Sequence, residues 1–99
     1  MVAVRENLTE VEGEIVAREP HPRLADFDEV VVNVHRAAPV EGKPDLVRPT
    51  PGDDLRVAVR RELIGDAPPG ARVRLRAART SSGDVMAEPH PDPEDFSIL

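Results

Sequence analysis

The sequence contains no cysteine, tryptophan or tyrosine, and its only aromatic rings besides three histidines are Phe27 and Phe96. Without cysteine there is no disulfide framework, no thiolate nucleophile and no cysteine-ligated zinc site. The chain also lacks an apolar run long enough for a signal sequence or a membrane span, and its start, MVAVRENLTEVEGE, soon turns acidic. We therefore expect a cytoplasmic chain that folds by packing alone and has no membrane partner.

The length and the charge narrow the functional classes. A chain of 99 residues forms one small domain, expected over residues 1–99, with little room for a deep active site. Its formal net charge of -6 argues against general attraction to nucleic acid or anionic membranes. A binding role is favoured over catalysis.

The basic residues are concentrated between Leu55 and Arg79, and apart from Lys43 every basic residue in the chain is arginine. An arginine side chain can bind a carboxylate or a phosphate through two parallel hydrogen bonds. Five arginines with strand-like spacing are the candidate ligand-binding residues: Arg56, Arg60, Arg72, Arg74 and Arg76.

Hydrophobic periodicity indicates strands. In EVEGEIV, residues 10–16, acids alternate with apolar or small residues, which is typical of a half-buried strand. The stretch LIGDAPPGA, residues 63–71, allows at most one turn of helix before its prolines end it. The predicted strands cover roughly residues 8–18, 27–36, 54–62, 71–79 and 84–88.

Two segments are rich in proline. Residues 37–54 hold four prolines and two glycines, too many for a helix or a central strand, so we predict a long flexible loop there. The segment 89–99 is a Pro-rich tail with an apolar end, and we expect Phe96, Ile98 and Leu99 to fold back onto the barrel.

Five short strands, with a glycine in the first and the run PGARVRLR leading into the fourth, resemble the oligonucleotide/oligosaccharide-binding fold, the OB-fold. The resemblance covers roughly residues 8–90. It implies an all-β, five-stranded barrel with a long loop between strands two and three and little or no helix. An SH3-like small barrel or a sandwich fits the same pattern.

In an OB-like barrel the first strand closes against the fourth. This arrangement would place Glu10, Glu12 and Glu14 beside the arginines of the fourth strand, where opposite charges paired across strands are mildly favourable. The two arginines of the third strand, Arg56 and Arg60, would then be the better ligand candidates.

Single-stranded nucleic acid is a possible ligand of this arginine-rich face. Such sites combine a basic groove with aromatic rings on which bases stack. Phe27 and Phe96 are instead expected to plug the ends of the barrel. Any oligonucleotide binding should therefore be weak and strongly dependent on salt.

The segment EPHPRLADF, residues 19–27, nearly repeats as EPHPDPEDF, residues 88–96. His21 and His90 could contribute to a metal site, but no short His-x-x-x-His spacing positions them together. Two similar strand exits explain the repeat, with proline ending strand pairing and phenylalanine returning to the core. Asp26, Asp92, Glu94 or Asp95 would complete such a site.

No catalytic constellation stands out either. Ser81 and Ser82 suit a turn, and neither lies in a nucleophile-elbow sequence. We expect no catalytic residue, metal or cofactor. The sequence predicts a non-catalytic binding or adaptor module, as a monomer or small homo-oligomer, whose partner is a protein. The alternatives are a single-stranded oligonucleotide-binding barrel and, more remotely, a metal-dependent hydrolase.

Overall fold

The computed structural model describes residues 7–99. Residues 1–6, on which the single-domain prediction and the interpretation of the N-terminal sequence partly fall, lie outside the described residues. One short helix, Arg61–Ile64 (α1), and one 3-10 turn, Pro93–Asp95, accompany the strands. The strands are Thr9–Pro20 (β1), Phe27–Pro39 (β2), Asp54–Arg60 (β3), Arg72–Arg79 (β4), Val85–Ala87 (β5) and Ser97–Ile98 (β6).

The strands form a closed five-stranded barrel. Strand β1 pairs antiparallel with both β2 and β4, and β2 pairs antiparallel with β3. Strand β5 lies between β3 and β4, parallel to β3 and antiparallel to β4. The prediction of an all-β barrel with almost no helix is confirmed. Strand β6, which was not predicted, adds to the edge of β4.

Gly13 allows β1 to pair with strands on both sides. The β1–β2 register shifts between Glu12 and Gly13, where the register skips His35, which marks a bulge in β2. A side chain at Gly13 would collide with the backbone carbonyl oxygen of Asn33 and would come within 2.8 Å of Val32 Cγ1. Only glycine lets β1 approach β2 this closely.

The barrel interior is filled mainly by β-branched side chains. Along β2 the residues Val30, Val32 and Val34 point inward and are at most 1% exposed. They meet inward residues of the other strands, among them Ile15 of β1 and Leu75 of β4. This alternation agrees with the inward faces that the sequence pattern predicts.

A buried ion-pair network closes one end of the barrel. Asp28 occupies an inward position of β2, and its side chain is 7% exposed. Its Oδ2 atom accepts hydrogen bonds from Nε and Nη2 of Arg18, and its Oδ1 atom accepts one from Nε of Arg61. Arg18 also donates to the carbonyl oxygens of Gly65 and Ala67. The network therefore anchors the segment after α1 to the β1–β2 hairpin.

A second bulge positions Arg18 for this network. The β1–β2 register shifts between Ile15 and Ala17, which leaves Val16 46% exposed. Beyond the bulge Arg18 pairs with Val30, and paired residues of antiparallel strands share a face. Arg18 thereby lies on the same side of the sheet as Asp28.

The segment between β2 and β3 packs against the other end of the barrel. Strand β2 extends to Pro39, three residues beyond its predicted end, so residues 40–53 form the connection. Val47 in this connection is 5% exposed. The hydroxyl of the fully buried Thr9 donates a hydrogen bond of 2.5 Å to Asp45. These contacts hold the connection on the barrel surface.

The two phenylalanines have different positions. Phe96 packs against the core together with Ile98, as the folding back of the tail predicts, whereas Leu99 is 81% exposed. The prediction that Phe27 plugs the core is wrong. Asp28 takes the inward position, so alternation places Phe27 on the outer face of β2.

Candidate ligand-binding face

The five candidate arginines do not form one continuous surface. Arg56 and Arg60 lie on β3, whereas the other three lie on β4, and β5 separates these strands in the barrel. The predicted arginine row therefore divides into two groups with different surroundings.

The arginines of β4 face acidic partners. In the β1–β4 register Glu10 pairs with Arg76, Glu12 with Arg74 and Glu14 with Arg72, as the OB-like arrangement implies. Oε2 of Glu10 lies 3.7 Å from Arg74 Nη1 and 3.8 Å from Arg76 Nε. These arginines belong to a cross-strand charge array that includes β1.

Segment 92–99 contacts the β4 arginines from the edge of β4 that does not pair with β1. We call this segment the strap. Asp95 Oδ1 lies 3.2 Å from Arg76 Nη2, and Arg74 Nη2 donates a 2.6 Å hydrogen bond to the carbonyl oxygen of Glu94. The strap therefore supplies acceptors to arginines that β1 also contacts.

Glu88, just before the strap, has a raised pKa. Burial is the largest cause, and the negative charges of Asp95 and Asp92 add to it, while Arg76 acts in the opposite direction. The Oε1 atom of Glu88 is buried and has no hydrogen-bond partner among the described residues. Several carboxylates thus converge on Arg76.

A groove runs across β3 on the other side of the barrel. Its open volume is about 360 Å³. The outward residues of β3 form its floor, the loop after β1 contributes His21, and the segment from Arg79 to Val85 forms the far wall. Arg23 Nη2 and Asp84 Oδ2 join the two loops through a 2.9 Å ion pair. We call this surface the β3 groove.

The β3 groove carries charges of both signs, and both arginines of its lining already have partners. Arg56 Nη1 lies 3.2 Å from Oε1 of Glu29 across the β2–β3 pair. The guanidinium of Arg79 donates to the carbonyl oxygens of Leu46, Val47 and Gly83. Asp54 and Asp84 add two further carboxylates to the lining. The groove therefore has no surplus of positive charge.

Arg60 lies beside the groove at the end of β3. It pairs with Phe27 in the β2–β3 register, and its Nη1 atom lies 3.6 Å from Glu62. Its Nε atom is buried without a hydrogen-bond partner in the described part of the chain. The outer face of the sheet thus places an aromatic ring next to an incompletely bonded guanidinium, a combination that the sequence pattern did not predict.

His21 has a local role in its turn. Its Nδ1 atom accepts hydrogen bonds of 3.1 Å from the backbone N–H groups of Arg23 and Leu24. Within residues 7–99 no group of three or more His, Asp or Glu side chains is arranged to hold a metal ion.

The two EPHP segments also differ in structure. Pro20 is still paired in β1, whereas β5 ends at Ala87, before the second segment begins. The two segments therefore leave their strands at different points, which the interpretation of the repeat as two similar strand exits did not predict.

Comparison of the chain with protein-family models, curated proteins and solved structures gives no match. In residues 7–99 no helix has the length and apolar character needed to cross a membrane.

Proposed function

We propose that this protein is a non-catalytic binding module of the OB type, and that the β3 groove binds a protein partner. The proposal is supported by a groove between two loops whose lining carries charges of both signs. The proposed location is cytoplasmic, as the composition suggests.

The topology supports the comparison with OB-like barrels. A five-stranded barrel in which β1 pairs with β4 and β5 lies parallel to β3 is compatible with that fold. OB-folds bind ligands on the face of their second and third strands, between the loops that join strands one to two and four to five. The β3 groove has this position.

The chemistry of the groove favours a protein segment over a polyanion. A nucleic acid gains affinity by neutralising phosphates with unpaired basic residues. Here Arg56 already pairs with Glu29, and Asp54 and Asp84 would repel phosphate. A polypeptide can match such a surface, because it offers cationic side chains, carboxylates and backbone hydrogen-bond groups together.

A charge exchange tests the protein-binding proposal. In the double variant Glu29→Arg/Arg56→Glu the internal ion pair is retained with reversed polarity, while the charge pattern presented to a ligand is inverted. Peptides selected on the wild-type protein from a random display library should lose about tenfold or more in affinity for this variant. Amide NMR of the wild-type complex should show shifts in β2, β3 and the two flanking loops.

The matched control is Glu14→Arg/Arg72→Glu, which makes the same exchange between two exposed residues paired across β1 and β4. It should leave peptide affinity unchanged. Peptides that bind both double variants as well as the wild type, or that shift resonances only outside the groove, would contradict the proposal.

One observation favours the second candidate function, single-stranded oligonucleotide binding. Phe27 lies on the outer face beside Arg60, so a base could stack on the ring while the guanidinium contacts phosphate. A mixed-sequence single-stranded oligonucleotide, titrated at low and then physiological salt, should shift the amides of both residues if this function holds. Phe27→Leu should then weaken binding, whereas Arg72→Glu on the distant β4 face should not.

No observation in residues 7–99 favours the metal-dependent hydrolase alternative.

A further inference from the structure

The strap occupies the edge of β4 as a bound peptide would. Ser97 and Ile98 pair antiparallel with Arg74 and Val73. The backbones of Leu99 and Arg72 exchange two hydrogen bonds, of 2.8 and 3.3 Å. Addition of a short strand to a sheet edge is a common way for proteins to bind peptides.

Side chains add specificity to this backbone pairing. Phe96 and Ile98 pack against the hydrophobic core, while Asp95 and the carbonyl of Glu94 contact Arg76 and Arg74. The β4 edge is therefore complementary to an acidic residue followed by alternating apolar residues. Each copy of the chain carries that sequence in its own strap.

The strand pairing of the strap is short for a segment that packs against the core. It covers only two residues. Asp92 and Asp95 both add negative charge near Glu88, while Arg76, which also pairs with Asp95, acts on Glu88 in the opposite direction. Pro89 and Pro91 restrict the backbone of the connection, and Pro93 begins the 3-10 turn of the strap.

We propose that two copies of this chain exchange straps, so that the strap of each copy pairs with β4 of the other. Both arrangements make the same strap contacts, and therefore exchange costs mainly the entropy of association, as in other domain-swapped dimers. The hinge is residues 89–91, because the backbone N–H of Glu88 is bonded to the Arg76 carbonyl; these residues fully extended span at most about 11 Å. The exchange would thus bring the two β4 edges close together. This proposal does not depend on what the β3 groove binds.

Complementary charge variants distinguish exchange from docking within one copy. Arg76→Asp and Asp95→Arg each place like charges together when the strap docks on its own barrel. If the two variants are mixed, exchanged straps restore an opposite pair at both positions. The mixed dimer should therefore have a dissociation constant about tenfold or more below that of either homodimer, since two ion pairs are regained. Light scattering coupled to size-exclusion chromatography measures this difference.

The double variant Arg76→Asp/Asp95→Arg is the matched control. It restores the pair within one copy and between copies alike, so its dimerisation should equal that of the wild type. If the mixed single variants associate no more tightly than each alone, while far-UV circular dichroism shows them folded, the proposal is wrong.

A second experiment avoids charge changes and uses the absence of cysteine from the chain. Arg74→Cys and Ser97→Cys introduce thiols at positions paired in the strand register. Mixed under mild oxidation, they should form a disulfide-linked heterodimer at least about tenfold faster than Ser97→Cys mixed with Arg56→Cys, if straps are exchanged. Equal rates in the two mixtures would overturn the proposal even if one charge variant failed to fold.

Discussion

Replacement of Asp28 with asparagine should destabilise the fold severely, although the two side chains have nearly the same shape. The carboxylate of Asp28 accepts hydrogen bonds from Arg18 through one oxygen and from Arg61 through the other. An asparagine amide has only one oxygen, so one of the two arginines would face an NH₂ group. Two hydrogen-bond donors, the amide NH₂ and an arginine N–H, would then face each other in a site where the Asp28 side chain is 7% exposed.

The decrease in the free energy of unfolding depends on how exposed the two arginines are. Removing one partner of a fully buried ion pair costs about 3–5 kcal/mol. The side chain of Arg18 is 18% exposed and that of Arg61 is 48% exposed, so water can partly replace the lost contact. We therefore expect a loss of roughly 2–3 kcal/mol. For a chain of this size that loss corresponds to a fall in melting temperature of roughly 8–24 °C.

The loss should also depend on pH. Burial alone would raise the pKa of Asp28, but hydrogen bonds and charge interactions with Arg18 and Arg61 outweigh it and lower the pKa below the usual 3.8. The stability contributed by the ionised group is fully present above the unfolded-state pKa and is lost as the pH falls through the folded-state pKa. The difference between wild type and Asp28→Asn should therefore be largest near neutral pH and shrink in acid.

Urea unfolding followed by far-UV circular dichroism is the suitable assay, because the chain has neither tryptophan nor tyrosine for fluorescence. Asp84→Asn is the control, since the ion pair between Arg23 and Asp84 has side chains 64% and 52% exposed. Asp84→Asn should lower the free energy of unfolding by no more than about 0.5 kcal/mol. If Asp28→Asn cost no more than this control at neutral pH, the network would not anchor the barrel end as described.

Three further substitutions test other parts of the barrel by the same unfolding assay. Gly13→Ala should cost about 3 kcal/mol, because the new Cβ collides with the Asn33 carbonyl; a loss under about 1 kcal/mol would contradict that close packing. Thr9→Val should cost about 1–2 kcal/mol, since it removes a buried hydrogen bond to Asp45, and an unchanged midpoint would show that this bond adds nothing. Glu88→Gln should raise stability at neutral pH, because burial and nearby acids raise the pKa of Glu88, and the gain should vanish as the pH falls below about 4.5; a loss at neutral pH would contradict this sign.

The alternation of polar and apolar residues predicted the features that lie within a single strand. Alternating acids and apolar residues placed β1 correctly, and alternating valines identified the inward face of β2. The cross-strand pairing of the β1 acids with the β4 arginines followed from the OB resemblance. Strand ends were less accurate, because pairing with a neighbour carries β1 and β2 past the points where their periodicity fades.

Several features that join distant segments were not predicted. Counting back from Val30 by two residues places Asp28 inward, so the signal for its burial was present in the strand pattern. The orientation of Arg18 depends on the bulge at Val16, which has no local signature. Strand β6 is too short for any periodicity. The β3 groove combines four separated segments, so its mixed charge emerges only from the tertiary structure.

Arg79 connects two loops through backbone carbonyls, those of Leu46 and Val47 in one loop and that of Gly83 in the other. Its own backbone N–H and carbonyl are bonded to the side chain of Asn7. One wall of the groove is therefore preorganised before any ligand arrives, and binding there sacrifices little loop entropy. A partner bound in the groove, as proposed, would meet a nearly rigid wall, so selectivity among partners would depend mainly on how well their shape and charge fit that wall.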